Sequence, residues 1–384
     1  MKMINKITAW SLAGAMGISI PMTALAGSPE FSRSADEWAG LKDNVLEYEE
    51  IGDLIHEYNV TVQNNQYDYN QFIKDYGKTR EDVAQSYRDL ADDLESSKSG
   101  EDSGAAMVSD LQLELQAKQL REQADDNLED SQINYWTYEQ AEDNLTLSAQ
   151  SKFISYYKKQ LELESAQVEL KNMENDYNLA VTKRQAGTVT EADVLDCKEQ
   201  MLEQEKTVSK LEQEIESTRQ KLIVMLGWSG GDQPEIKGIS ELNLSEYENI
   251  DLEADKQKAQ ENNYTLKINK RKLENAKDDN NKEKISNTIE GNQRQINVSV
   301  TSAWQNLQTA KLSYEQAEAD ATTEQRNMEL TQQKWNAGMI TKYEYEKQQS
   351  TLSSAKNSVK AARLSLLETL ETYKWNINGL ASAE

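Results

Sequence analysis

The sequence has little of what usually punctuates or staples a fold. Three prolines are spread over 384 residues, and 16 glycines are too few for a loop-rich chain. Cys197 is the single cysteine, so no internal disulfide can form; beside Asp196 in a helical stretch it reads as a packing residue. His56 is the single histidine, which excludes multi-histidine metal sites and argues against a histidine-activated nucleophile. There is no glycine-rich phosphate loop, no cysteine pair and no EF-hand spacing. Acid pairs such as Asp125-Asp126 and Asp278-Asp279 read as helix-surface charge. No catalytic residue, metal ligand or cofactor is expected, and the chain reads as a non-enzyme.

Positive charge is also scarce: 42 basic residues against 67 acidic ones leave a formal net charge of −25. Such a field repels phosphate backbones and anionic lipid, so nucleic-acid binding is not expected. The same acidity also reads simply as a solvated surface that keeps an elongated protein in solution. Long apolar runs are confined to the N-terminus. Lys2 and Lys6, the apolar stretch Ile7 to Ile20 and the small-residue site Ala24-Leu25-Ala26 make residues 1–26 a signal peptide. No cysteine follows that site to carry a lipid, and nothing later approaches spanning length. The mature chain is therefore expected to be exported and extracytoplasmic, without a membrane span of its own.

What is present suits long helices. Hydrophobic residues make up 37% and charged residues 28%, with Gln and Asn frequent, a composition that buries narrow stripes rather than a thick core. Leu41, Val45, Tyr48, Ile51 and Ile55 predict a mostly helical segment from Trp38 to Tyr76. Within it Tyr58 to Val62 alternates like a strand, yet Asn59-Val60-Thr61-Val62 parallels Asn263-Tyr264-Thr265-Leu266 in a helical context, so helix is preferred. No strong breaker lies between Met107 and Ala186, which predicts an unbroken helix of more than about 100 Å. Gly227, Gly230, Gly231, Pro234 and Gly238 mark a linker. Residues 248–281 read as a further polar helix, with a weak spot from Asn280-Asn281 to Gly291. The expected organisation is a first helical hairpin repeat over 27–226, with an extra helical segment at about 77–130, then a linker over 227–247 and a second repeat over 248–384.

The repeat is carried by one turn. Arg184-Gln185-Ala186-Gly187-Thr188-Val189-Thr190-Glu191-Ala192-Asp193-Val194 recurs in outline as Trp335-Asn336-Ala337-Gly338-Met339-Ile340-Thr341-Lys342-Tyr343-Glu344-Tyr345, an offset of 151 from Gly187 to Gly338. The offset holds outward, pairing Phe153 with Trp304, Leu161 with Leu312, Met201 with Leu352 and Val208 with Val359. Gly187 and Gly338 suit the left-handed position that ends a helix, while Thr190 with Asp193 and Thr341 with Glu344 form capping boxes that start the next. Structure alone explains those residues, so a functional role has to come from exposure at a hairpin tip. Val194, Met201, Val208, Ile215 and Leu222 recur every seven residues, as do Tyr345, Leu352, Val359, Leu366 and Tyr373, which predicts left-handed coiled-coil packing. Many second-seam positions are small or Gln, so each hairpin needs neighbours.

An exported, duplicated hairpin with Arg184, Gly187, Thr190, Asp193, Val194 and Leu195 at its tip, and a degenerate copy at Gly338, Thr341 and Glu344, resembles the TolC-like outer-membrane efflux protein family. Asn262-Asn263-Tyr264-Thr265-Leu266 resembles that family's Asn-x-x-Leu helix start, and Gly227 and Gly379 fit the ends of its return helices. The resemblance implies an all-α duplicated antiparallel coiled coil, the protomer of a homo-trimeric α-helical tunnel. It implies partners too: a periplasmic-adaptor-like membrane fusion protein and, through it, an ABC-type transporter. The partner-binding tips would comprise Arg184, Gly187, Thr190, Asp193 and Val194 in the first repeat and Trp335, Gly338, Thr341, Glu344 and Tyr345 in the second. One departure stands out. The family inserts alternating barrel strands in each repeat, whereas here 77–130 is acidic and 280–295 short and polar, so barrel strands are expected to be absent or vestigial. Two functional readings remain: the tunnel or scaffold component of an export system, or a secreted coiled-coil spacer with no transport role.

Overall fold

The computed structural model describes residues 40–41, 43–101, 103–239 and 250–384. The segment read from the sequence as a signal peptide and the leader after it fall outside these, as does part of the linker. The chain up to Asp43 is a unit of its own, and a second unit runs from Asn44 to Glu384. The α-helices of the second unit are α1 (Ile51–Tyr58), α2 (Val60–Tyr76), α3 (Arg80–Ser96), α4 (Gly104–Asp126), α5 (Ser131–Gln185), α6 (Glu191–Met225), α7 (Leu252–Asn262), α8 (Tyr264–Asn275), α9 (Asp279–Asn336) and α10 (Lys342–Trp375), which runs on into a π-helical turn, Asn376–Leu380. Among the described residues the strands are β1 (Val45–Leu46) and β2 (Glu235–Ile236), paired in parallel. The fold is all-α, as the composition and periodicity predict, and helices occupy the two stretches where barrel strands would be inserted.

Two long hairpins dominate. α5 and α6, with 55 and 35 residues, make the first; α9 and α10, with 58 and 34, make the second. At about 1.5 Å per residue the longer arms reach roughly 80–90 Å. The seven-residue beat is the buried seam: Val194, Val208 and Leu222 are buried in α6, and Leu352, Leu366 and Tyr373 in α10. The hairpins join through α5 and α10, which run antiparallel. Asn172 meets Ser350 at 2.9 Å, Lys158 meets Glu368 at 2.6 Å, and Gln150 accepts from Trp375 at 2.8 Å. The four long helices therefore lie in the order α6–α5–α10–α9.

At the other end each repeat closes on the same latch. Asn59 caps α2 by accepting from the N–H groups of Thr61 and Val62, and its amide donates to the Met225 carbonyl at 2.8 Å. Asn263 caps α8 by accepting from the Leu266 N–H, and its amide donates to the carbonyls of Gly379 and Ala381 at 3.2 and 2.7 Å. Each asparagine thus satisfies backbone groups of a helix start and of a return-helix end at once. Gly227 and Gly379 adopt φ of 95° and 132° beside Tyr58 and Tyr264, where a Cβ would collide with the tyrosine. The second repeat buries Leu266, Ile296, Val300, Leu307, Leu366 and Leu370 in one cluster.

Several expected boundaries move, each for an identifiable reason. The long helix expected from Met107 to Ala186 is broken over residues 127–130. Asp130 caps α5 through the N–H groups of Gln132 and Ile133, and is itself buried against Arg271 at 2.6 Å and Asn275 at 3.0 Å. Arg80 crosses from α3 to the end of α4, donating to the carbonyls of Asn127 and Asp125 at 3.0 and 2.6 Å. Side chains that cap both sides of the gap reward the break more than continuing the helix would. The helical segment expected from Trp38 to Tyr76 holds β1 and divides at Asn59, and 248–281 divides at Asn263 and again at 276–278, because capping side chains sit there. The weak spot at 280–291 is helical: Asp278 caps α9, and Gly291 costs about 1 kcal/mol, which burial of Asn292, Ile296 and Val300 just beyond outweighs. The preference for helix at Tyr58 to Val62 holds, with the chain passing from α1 to α2 there.

Candidate functional site

Both hairpin tips are built by the chemistry their sequence implies. At the first, the Gly187 N–H donates to the Arg184 carbonyl at 3.0 Å and the Thr188 N–H to the Lys183 carbonyl at 3.0 Å. At the second, Gly338 donates to Trp335 at 2.9 Å and Met339 to Lys334 at 2.9 Å. These are paired Schellman bonds, closed by left-handed glycines with φ of 75° and 68°. Thr190 then caps α6 and Thr341 caps α10, each within a complete capping box. The Asp193 carboxylate accepts from the Thr190 N–H at 2.7 Å, and Glu344 from the Thr341 N–H at 2.7 Å. Those backbone bonds favour the ionised form and hold both carboxyls below their ordinary range.

The side chains on these matching turns differ. Arg184 reaches across the first turn to Glu191 at 3.3 Å, with both exposed. In a high-dielectric setting such a pair contributes little to stability. Val194 is buried beneath it and starts the seam of α6. At the second tip Trp335 and Tyr345 pack with ring centroids 5.6 Å apart, and the Tyr345 hydroxyl donates to Gln332 at 2.6 Å. Met339 is 74% exposed and Trp335 38%, so this turn presents apolar and aromatic surface to solvent. Apart from the adjoining residues of the chain, no atom lies within 4 Å of where a Cβ would sit on Gly187 or Gly338, so backbone conformation and not crowding selects glycine there.

The two tips lie at the same end. Tyr343, in the first turn of α10, donates its hydroxyl to Asp176 of α5 at 2.6 Å, and this bond, with partial burial behind it, pushes the phenol up to about 12. Carried on at the register of Asn172 with Ser350, the second turn falls about level with Arg184. The ten expected tip residues therefore form two adjacent groups, one polar and one aromatic. Sequence reading missed the Tyr343–Asp176 tie. The tyrosine lay inside the repeated turn, but nothing in a linear pattern pairs it with a residue 167 positions away.

Among the described residues no group of three or more His, Cys, Asp or Glu side chains could hold a metal, and no helix is long and apolar enough to cross a membrane. No protein-family model matches the chain, and no curated protein does. Solved structures do match. A membrane protein from Pseudomonas aeruginosa aligns over 94% of this chain and 97% of its own at 12% identity, with a TM-score of 0.57. The CmeC outer membrane channel of Campylobacter jejuni aligns over 96% of this chain and 95% of its own at 9% identity, with a TM-score of 0.56. At such identities the likeness is one of fold: the chain has the fold of a TolC-like outer-membrane channel over nearly its whole length.

Proposed function

We propose that the chain is an extracytoplasmic tunnel or scaffold component of an export system. In this reading it works as a homo-trimer that docks a membrane-fusion adaptor through its hairpin tips and is linked by that adaptor to an ABC-type transporter. The observation that carries the reading is the open layer of four helices. α6 and α9 form its two edges, and each exposes large apolar side chains: Leu195 and Leu202 on α6, Leu312 and Leu330 on α9. Single exposed leucines are ordinary, but leucines exposed on both free edges of one layer suit a head-to-tail contact between copies, which closes into a ring. The tips then gather at one rim, where an adaptor's own helices would meet them.

Sedimentation of the mature chain tests this, with and without a candidate adaptor. A trimer that dissociates in Leu195→Glu and Leu312→Glu, and adaptor binding lost in Trp335→Ala with Met339→Ser, are the expected results. A chain that stays monomeric and ignores the adaptor would leave the coiled-coil spacer as the better account.

A further inference from the structure

The short hairpin of α3 and α4 lies between α2 and the start of α5, so its base is at the end of α5 away from the tips. One face of α4 packs on α3: Ala117 and Leu120 are buried with Ala91, and Leu90 and Leu94 lie against them. Nearer the connecting loop the contact turns polar. Asp110 accepts from the N–H groups of Ser99 and Gly100 at 2.9 and 3.0 Å, and Lys98 pairs with Glu114 at 3.1 Å. The larger apolar side chains of this stretch lie on the opposite face. Met107, Val108, Leu111 and Leu115 are 53–60% exposed. At about 3.6 residues per turn, Val108, Leu111 and Leu115 fall roughly half a turn around the helix from Ala117 and Leu120. A helix serving only to close this hairpin would turn its leucines toward α3.

We propose that this face of α4 is a contact between copies of the chain: in the trimeric ring proposed above, on which the inference rests, three α4 helices meet in parallel and tie the ring together at the end away from the tips. Spacing and charge name the occupant. Val108, Leu111 and Leu115 follow one another by three and four residues, the seam of a coiled coil, and a ring carries that seam at one height in every copy. The residues flanking it, Gln112, Gln116 and Gln119, are exposed and uncharged. The outer face of α3 is the reverse, with Glu81, Asp82, Asp89 and Asp93 all exposed. Copies of a chain with a net charge of −25 repel one another, so the uncharged face of this acidic hairpin is where they approach at least cost. The seam is short, for its next positions are Lys118 and Glu122, which pair at 3.8 Å. Three side chains per copy do not hold a trimer by themselves; they add to one whose edges already bring the copies together.

Disulfide cross-linking of the full chain tests the contact, with Cys197→Ser removing the native thiol. Under mild oxidation, Val108→Cys or Leu115→Cys is expected to join up to about two-thirds of the chains into covalent dimers, since three like thiols around one axis leave one unpaired. Asp89→Cys, on the acidic face of α3, should give only the background of random collision. All three positions are exposed in the single chain, so each variant should fold with an unchanged circular dichroism spectrum. The two seam positions also read direction, because in an antiparallel pair neither residue would face its own copy. Sedimentation before oxidation separates this contact from the ring itself. A trimer in which Val108→Cys and Leu115→Cys link no more than Asp89→Cys overturns the α4 contact and leaves the ring standing. An adaptor helix or a lipid surface as the true occupant would give that same result with the pure protein. A monomer that does not link removes the contact and the ring together.

Discussion

The two hairpin tips share a backbone and differ in nearly everything attached to it. Both end in a left-handed glycine with paired Schellman bonds, and both restart with a threonine in a capping box. Above that skeleton the first tip is a solvated ion pair, Arg184 with Glu191, and the second an aromatic pair, Trp335 with Tyr345, under an exposed Met339. Reversing a helix dictates the shared part, so the repeated motif by itself says nothing about a partner. The unshared part is free of that duty. Under the proposed function, specific recognition of an adaptor would fall to the second tip, whose exposed Trp335 and Met339 side chains the turn's backbone bonds do not require.

The latches at the other end make the same comparison with larger stakes. Gly227 and Gly379 occupy like positions, but a Cβ on Gly227 would overlap the Cβ of Tyr58, whereas on Gly379 it meets the ring edge of Tyr264 at 2.9 Å. A ring edge can swing; a Cβ fixed to the backbone cannot. Gly227→Ala is expected to cost about 3 kcal/mol, combining left-handed strain with overpacking. Gly379→Ala should cost about 2 kcal/mol, mostly backbone strain. Denaturant midpoints of the two variants measure the gap, and equal losses would show that the latches are interchangeable. The asparagines come next. Asn263 is fully buried and bonds two carbonyls besides its cap, so Asn263→Ala should cost about 2 kcal/mol or more, while Asn59→Ala, which frees one carbonyl, should cost less.

At the tips the comparison predicts equality. Gly187→Ala and Gly338→Ala each force a side chain into a left-handed turn with open space around it, and each should cost about 1 kcal/mol. A clear difference would mean that one turn is held by more than its own caps. The capping carboxylates add a pH dependence. Asp193 and Glu344 have depressed folded values, so their contribution is complete above the ordinary carboxylate range and fades as pH falls through the lowered folded values. Amide signals of Thr190 and Thr341 followed into acid should report both turns loosening together, and Asp193→Asn should remove the response at the first tip alone.

Much of this was legible from the chain because the governing physics is local. Caps, the seven-residue beat and the repeat depend on residues within a few turns of one another. That is why Gly187, Thr190, Asp193 and their counterparts sit where their spacing puts them. The misplaced boundaries depend on distant partners. Asn127 to Asp130 looks no weaker than its surroundings until Arg80 and Arg271 arrive from elsewhere, and 280–291 looks weak until the burial of Ile296 and Val300 is known. The docking role proposed for the tips would depend on another molecule, and no pattern within one chain encodes it.

The smallest expected effect tests how far the tips act independently. The Tyr343 hydroxyl ties the second hairpin to Asp176 of the first, close to both turns. Since Tyr343 lies near solvent, water replaces much of the bond, and Tyr343→Phe should cost under about 1 kcal/mol of global stability. Its local consequence should be larger than its global one. α5 and α10 keep their lower links at Asn172–Ser350 and Lys158–Glu368, so only the last turns are released. Spin labels near Gly187 and Gly338 should then report a broader distance distribution in the variant with only a small shift of the denaturant midpoint. If the distribution keeps its width, packing between the arms alone holds the tips together, and the contrast between a polar and an aromatic tip belongs to one rigid surface, not to two that can part.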